Sequence, residues 1–119
     1  MINNSPPTEI TLHSQSKSLE LTYGSDSYNL PAEYLRVFSP SAEVRGHGTG
    51  QEVLQTGKEQ IGIKQLEPCG NYALKIYFDD GHDSGLFTWD YLRNLATEQE
   101  HRWRDYLNRL QQAGYQRQG

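Results

Sequence analysis

Cysteine is nearly absent from this 119-residue sequence, and its scarcity excludes two ways of stabilising a small protein. The only cysteine is Cys69. One thiol cannot form a disulfide within the chain, and one thiol cannot hold zinc by itself. Cys69 also lacks an adjacent histidine that could activate it as a nucleophile. The length allows one small domain, and we expect an apolar core to stabilise it.

Long apolar runs and basic runs are missing as well. No segment approaches the ~20 apolar residues that cross a membrane as a helix, and the N-terminus lacks the basic and apolar regions of a signal peptide. The net charge is −4 and the pI about 5.5, without the basic patch that nucleic-acid phosphates require. We therefore expect a soluble, cytoplasmic protein with neither a nucleic-acid nor a membrane partner.

The ends of the chain are poor in core-forming residues. The first nine residues contain two prolines and no apolar period, which is typical of a flexible tail. We assign residues 1–9 to this tail, residues 10–112 to a single domain, and residues 113–119 to a second flexible tail.

Alternation of apolar and polar residues is the strongest pattern in the domain, and a period of two is typical of a strand with one buried face. The stretches are Ile10–Leu12, Leu19–Tyr23, Tyr28–Leu30, Ile61–Leu66 and Tyr72–Phe78. Asp80 and Gly81 are predicted to form a two-residue hairpin turn. The return strand is then His82–Phe87, with Asp79 opposite His82.

Three helices are predicted. Pro31 suits the first turn of a short helix over Ala32–Arg36, and Thr88 can cap a second helix that ends near Leu95. Thr97 and Glu100 have the spacing of a capping box for the third helix. The apolar stripe of that helix is Trp103, Tyr106, Leu107 and Leu110. Antiparallel strands followed by helices predict an α+β fold, a compact antiparallel β-sheet domain with C-terminal helices.

The stretch DDGHDSG, residues 79–85, has the composition of a functional site. His82 could act as a metal ligand or a general base with Asp80 or Asp83. The hairpin register instead places His82 on a polar strand face beside Lys75 and Tyr77. This position favours a histidine whose imidazole bonds a neighbouring aspartate, without a metal.

Residues 39–59 carry turn formers and no sustained period, and such a stretch in a compact domain is where function is expected. The glycines of residues 46–50 do not match a P-loop, because six residues separate Gly50 from Gly57. Arg45 and His47 could still bind an anion together with loop amides, but the pattern favours a mobile surface loop. Trp89 is interpreted as a core or seam residue beside this surface.

Two segments together resemble a known family. LPAEYLRVFSPSAEVRGHGTGQ and EPCGNYALKIYFDDGHDSGLFTWDYL are similar to the small domain at the N-terminus of gamma-butyrobetaine hydroxylase-like enzymes, and to its free-standing bacterial members, formerly a domain of unknown function. The resemblance covers about Leu19 to Leu95. It implies a compact α+β domain that precedes an oxygenase domain in the hydroxylases. Similar domains are fused to P-loop ATPases of iron–sulfur cluster assembly.

The resemblance also implies where a zinc ion would lie. The hydroxylase version binds structural zinc through three cysteines and one histidine. The corresponding positions here are Ser39, Ser41, Val44 and His82. Serine is a poor zinc ligand and valine is none, so we expect neither zinc nor another cofactor, with His82 as the one weak metal candidate.

Two hypotheses of function follow. The first is a non-enzymatic accessory or interaction domain, with an unidentified protein partner in iron–sulfur cluster assembly or oxygenase systems. Its candidate surface is Arg45, His47, Asp80, His82, Asp83 and Trp89. The alternative is a weak metal-binding protein that uses His82 with nearby carboxylates. No nucleophile–base pair is recognisable in the sequence, so we expect no enzyme.

Overall fold

The first half of the chain forms a three-stranded antiparallel sheet. The computed structural model describes residues 6–40, 54–83 and 85–117. The strands are β1 (Glu9–His13), β2 (Ser18–Tyr23) and β3 (Asp26–Pro31), in the order β1-β2-β3. Leu19 lies opposite Leu12 on one side and Leu30 on the other. The alternation seen in the sequence thus turns one face of this sheet towards the core.

A second antiparallel sheet contains β4 (Ile63–Cys69), β5 (Ala73–Phe78) and β6 (Leu86–Thr88), in that order. Ala73 lies opposite Thr88, which is the register that the hairpin prediction gives. The predicted length of the return strand is wrong, because strand pairing begins only at Leu86. Before that point the amide of Phe78 donates to the carbonyl of His82 at 3.1 Å. The amide of Gly81 donates to the carbonyl of Phe78 at 3.2 Å. These bonds tighten the turn and keep residues 79–83 out of the strand.

The helices are α1 (Ala32–Val37), α2 (Trp89–Thr97) and α3 (Gln99–Gln112). The predicted cap of α2 is confirmed, since the Thr88 hydroxyl accepts from the amide of Tyr91 at 3.3 Å. The predicted capping box of α3 is wrong. Thr97 is the last residue of α2, and its hydroxyl donates to the carbonyl of Arg93 at 3.0 Å. Only Glu98 separates the two helices, so no room remains for a separate capping turn at Thr97.

The main core lies between the two sheets, α1 and α2. Its fully buried side chains include Leu19, Leu30, Leu35, Phe87 and Leu92. The fold class α+β is therefore confirmed, with two small sheets within the described residues.

A smaller apolar cluster lies under α3 and contains Val37, Tyr106 and Leu110. The predicted stripe of α3 is confirmed for Tyr106 and Leu110, each 2% exposed, but Leu107 is 37% exposed. Leu107 therefore lies on the solvent side of the helix.

The ends of the described chain make contacts with the rest of the domain. The amide of Thr8 donates to the carbonyl of Thr22 at 2.7 Å, just before β1 begins. After α3, Gly114 takes a φ of 77° and the amide of Tyr115 donates to the carbonyl of Leu110 at 2.9 Å. The boundaries at residues 9 and 113 stay predictions. No helix in the described part of the chain has the length and apolar character needed to span a bilayer.

Candidate functional site

His82 points inward from the turn after β5. It is 7% exposed, and its Nε2 lies 2.9 Å from the hydroxyl oxygen of Ser39, which is 1% exposed. The ring of Phe78 packs beside the imidazole, with 6.0 Å between ring centres. The predicted position of His82 on a polar strand face is wrong. The tight turn through Gly81, at a φ of 90°, takes His82 out of the strand before its alternation could apply.

Asp80 connects this turn to distant parts of the chain. One carboxylate oxygen accepts from the backbone amide of His82 at 3.1 Å. The other accepts from Nε of Arg36 at 3.0 Å and from Nζ of Lys58 at 3.3 Å. Partial burial raises the pKa of Asp80, but the His82 amide and then the two cations outweigh that effect and lower the pKa overall. Asp80 is therefore held as an anion.

Arg36 is the buried cation of the site, and the sequence did not single it out. It lies on α1 with 6% of its surface exposed. Besides Asp80, it donates through Nη1 to the side-chain oxygen of Gln55 at 3.1 Å. The hydroxyl of Tyr106 donates to the backbone carbonyl of Gln55 at 2.7 Å. We refer to Arg36, Ser39, Lys58, Asp80 and His82 together as the Asp80 cluster.

The Asp80 cluster fixes the chain on both sides of residues 41–53. Ser39 precedes that segment and is bonded to His82, while Gln55 follows it and is bonded to Arg36. The hydroxyl of Tyr91 also donates to the carbonyl of Phe38 at 2.6 Å. The candidate residues Arg45 and His47 belong to this segment, as do Ser41 and Val44, and all four lie outside the described residues.

The two remaining candidates have different surroundings. Trp89 begins α2 and is 9% exposed, with its indole nitrogen donating to the carbonyl of Asn71 at 2.9 Å. This position makes Trp89 a core residue that fixes the turn between β4 and β5. Asp83 follows His82 directly and is partly buried. The structure thus brings Asp80 and His82 together with Ser39, whereas Trp89 packs into the core.

The Ser39–His82 pair has the spacing of a nucleophile and its general base, although sequence reasoning recognised no such pair. Both side chains are almost completely buried. A substrate carbonyl has no access to the Ser39 hydroxyl in this arrangement. The geometry therefore supports a structural hydrogen bond that closes the turn against the end of α1.

The donor set of the Asp80 cluster does not fit zinc. The Ser39 hydroxyl stands at one of the implied cysteine positions and is bonded to the imidazole that would be the fourth ligand. Arg36 and Lys58 already neutralise the Asp80 carboxylate. Across residues 6–40, 54–83 and 85–117, no group of three or more His, Cys, Asp or Glu side chains could hold a metal ion.

Comparison with known proteins identifies relatives along most of the chain. The family model described as gamma-butyrobetaine hydroxylase-like, N-terminal, matches residues 10–93. One NMR solution structure is 59% identical, covers 97% of this chain and 91% of its own, and superposes with a TM-score of 0.85. Another NMR structure is 44% identical, covers 97% and 87%, and has a TM-score of 0.79.

A more distant relative is a crystal structure at 1.93 Å resolution. It is a protein of unknown function from Acidithiobacillus ferrooxidans ATCC 23270 that belongs to the DUF971 family. It is 34% identical, covers 76% of this chain and 91% of its own, and has a TM-score of 0.63. No curated protein matches the chain.

Proposed function

Since the chain belongs to the family of gamma-butyrobetaine hydroxylase-like N-terminal domains, we propose that it is a non-enzymatic accessory domain that binds a protein partner. The family resemblance implies two contexts, before an oxygenase domain and beside P-loop ATPases of iron–sulfur cluster assembly. In both, the domain accompanies a catalyst. We therefore look for the partner in these two systems.

The hydrogen bonds that hold Ser39 and Gln55, on either side of residues 41–53, carry this proposal. Ser39 on one side is hydrogen-bonded to His82, and Gln55 on the other side to Arg36, and both partners are buried. A connecting segment with rigidly positioned ends is a common way for a small domain to present binding residues. Arg45 and His47 are the side chains that we assign to partner contact. Asp80 and His82 have the role of holding the base of the segment.

A crosslinking experiment tests this assignment. A photoreactive amino acid replaces His47 in one version of the chain and Lys64 in another, since Lys64 is an exposed residue of β4. We expect the His47 version to crosslink to an oxygenase or an iron–sulfur assembly protein in cell extract, and Arg45→Glu to abolish that product. Equal products from both positions, or a product that Arg45→Glu leaves intact, would contradict the proposed surface.

The metal-binding alternative is decided by elemental analysis. We predict that protein purified without chelator contains no stoichiometric zinc, because Ser39 and Val44 stand at cysteine positions and Asp80 is paired with Arg36. His13→Asn is the matched control for His82→Asn, since His13 is exposed on β1. One tightly held zinc per chain that His82→Asn removes and His13→Asn keeps would establish the alternative instead.

A further inference from the structure

Arg117, which follows α3, forms an ion pair with Glu33 on α1. Its Nε donates to one oxygen of the Glu33 carboxylate at 3.0 Å, and its Nη2 donates to the other oxygen. Glu33 is 7% exposed. The guanidinium carbon lies 5.3 Å from the ring centre of Trp103 on α3. One guanidinium is therefore held by a buried carboxylate and by an aromatic face.

These contacts select arginine over lysine. The guanidinium is planar and can donate two parallel hydrogen bonds to a carboxylate while it stacks on an aromatic ring. An ammonium group lacks the fork, so it cannot reproduce both contacts. The hydrogen bonds that Arg117 donates to Glu33 raise the pKa of Arg117 above its usual value, although burial acts in the opposite direction. A buried carboxylate also requires such a partner, because an uncompensated buried charge is strongly destabilising.

The arginine that fills this site lies in a segment outside the helices. Residues 113–117 follow α3, and the hydroxyl of Tyr115 donates to the carboxylate of Glu59 at 2.9 Å. The Arg117 side chain remains 33% exposed, whereas that of Glu33 is 8% exposed. The carboxylate is thus the enclosed part of the site, and the arginine is the part that solvent and a competing chain can reach.

We propose that Glu33 and Trp103 form a docking site for an arginine-bearing segment of a partner protein, and that Arg117 closes this site from within the same chain. The identity of the resident side chain supports the kind of partner, since the site already holds a guanidinium with two directed hydrogen bonds to Glu33 and the ring of Trp103 5.3 Å away. Docking here uses neither Arg45 nor His47, so this proposal stands independently of the surface proposed above.

Because Arg117 already occupies the site, a free arginine peptide should bind the wild-type chain and the Arg117→Gln chain with different affinities. A side chain tethered by a short segment competes at an effective concentration in the millimolar range. A free arginine peptide should therefore bind the wild-type chain weakly. Removing the internal guanidinium by Arg117→Gln should raise the affinity for that peptide about tenfold or more. Arg104→Gln is the matched control, since Arg104 is an exposed arginine of α3 that contacts Glu100.

The probe is a free peptide with the sequence of residues 114–119, GYQRQG, and the comparison peptide carries lysine in place of its arginine. NMR titration follows the indole signals of Trp103 and of Trp89, which is bonded to Asn71 and serves as the internal reference. We expect the arginine peptide to shift the Trp103 signal of the Arg117→Gln chain. The response should be weaker by about tenfold or more in three controls. These are the lysine peptide with the Arg117→Gln chain, the arginine peptide with the Arg104→Gln chain, which keeps Arg117, and the arginine peptide with the Arg117→Gln chain that also carries Glu33→Gln.

Three results would overturn the proposal: an unmoved Trp103 signal in Arg117→Gln, equal binding of the lysine peptide, or equal affinity in wild type and Arg117→Gln. If Arg117→Gln does not fold, the NMR spectrum of the wild-type chain with saturating arginine peptide tests the proposal instead. Its Arg117 Nε signal should then move to the position of a solvated guanidinium, and an unmoved signal overturns the proposal. A wild-type dimer in sedimentation analysis that Arg117→Gln abolishes would assign the site to a second copy and refute a different partner.

Discussion

Two buried tyrosines differ in what their hydroxyl groups contact. Tyr34 is fully buried, and its hydroxyl donates to the carbonyl of Leu95 at 2.7 Å. Tyr23 is 9% exposed, and its buried hydroxyl has no hydrogen-bond partner within the described residues. A bonded hydroxyl contributes about 0.5–1.5 kcal/mol, whereas a buried hydroxyl without a partner carries a desolvation cost.

We therefore predict opposite outcomes for the same substitution at these tyrosines. Tyr34→Phe should lower the free energy of unfolding by about 1–3 kcal/mol, because the Leu95 carbonyl loses its donor. Tyr23→Phe should leave it unchanged within about 0.5 kcal/mol or raise it. Urea unfolding of both variants measures the difference. Equal losses would mean that the Tyr23 hydroxyl is hydrogen-bonded in solution.

Asp80 should make stability depend on acid pH. Its pKa is lowered in the folded state by the His82 amide, Arg36 and Lys58, against the opposing effect of burial. A lowered folded pKa means that the stabilisation is present above the unfolded value of about 3.9 and is lost as pH falls through the folded value.

We predict that Asp80→Asn destabilises the chain by roughly 1–3 kcal/mol at neutral pH, since buried Arg36 loses a charged acceptor. The difference from wild type should begin to shrink below about pH 4, where the unfolded chain takes up a proton first, and should disappear once the pH falls below the lowered folded pKa of Asp80. Denaturant unfolding at several pH values measures this trend. Asp105→Asn, at an exposed position of α3, should show a smaller effect, and a constant gap between wild type and Asp80→Asn across the range would contradict the assignment.

At the scale of single residues, the sequence identified three of the five members of the Asp80 cluster. Asp80 and His82 were visible because titratable residues crowd one turn, and Ser39 because the family resemblance marks its position. Arg36 and Lys58 were not singled out. Arg36 lies 44 positions from Asp80, and Ser39 lies 43 positions from His82. No local period records a contact over such a separation, so only the packing of α1 against the turn reveals it.

At the scale of secondary-structure elements, the periodicity of the sequence predicted which strands and helices exist better than it predicted the residues at which they begin and end. Alternation located β2 and β5 because each has one face on the core. The return strand after Gly81 was predicted too long, because hydrogen bonds within the turn hold residues 79–83. The capping box at Thr97 failed for a related reason, since α2 continues through that residue. In both cases the local sequence pattern predicted an element boundary that the folded chain does not have.

The orientation of α3 can be tested with two leucines of the same helix. Leu110 is 2% exposed and belongs to the small cluster with Val37, whereas Leu107 is 37% exposed. Leu110→Ala should cost about 2–5 kcal/mol through lost burial and the cavity that remains. Leu107→Ala should cost less than about 1 kcal/mol. Chemical denaturation distinguishes them, and equal losses would show that α3 turns Leu107 as well as Leu110 towards the core.

At the scale of the whole molecule, α3 covers the end of α1 and the chain that follows residues 41–53. Trp103 packs edge-on against Tyr34, and Tyr106 packs against Phe38. The Tyr106 hydroxyl also holds the backbone of Gln55. These contacts connect the small cluster under α3 to the main core, so the domain should unfold as one cooperative unit.

This arrangement predicts unequal effects for deletions at the two ends. Removing residues 98–119 should cost several kcal/mol, on the order of two buried large side chains, since Tyr106 and Leu110 leave the core and Val37 becomes exposed. Removing residues 1–7 should shift the melting temperature little, because Thr8 and its bond to Thr22 remain. Thermal unfolding followed by circular dichroism and by Trp89 fluorescence measures both. A chain without α3 that melts as cooperatively and at the same temperature as the full sequence would show that the helix is independent of the core.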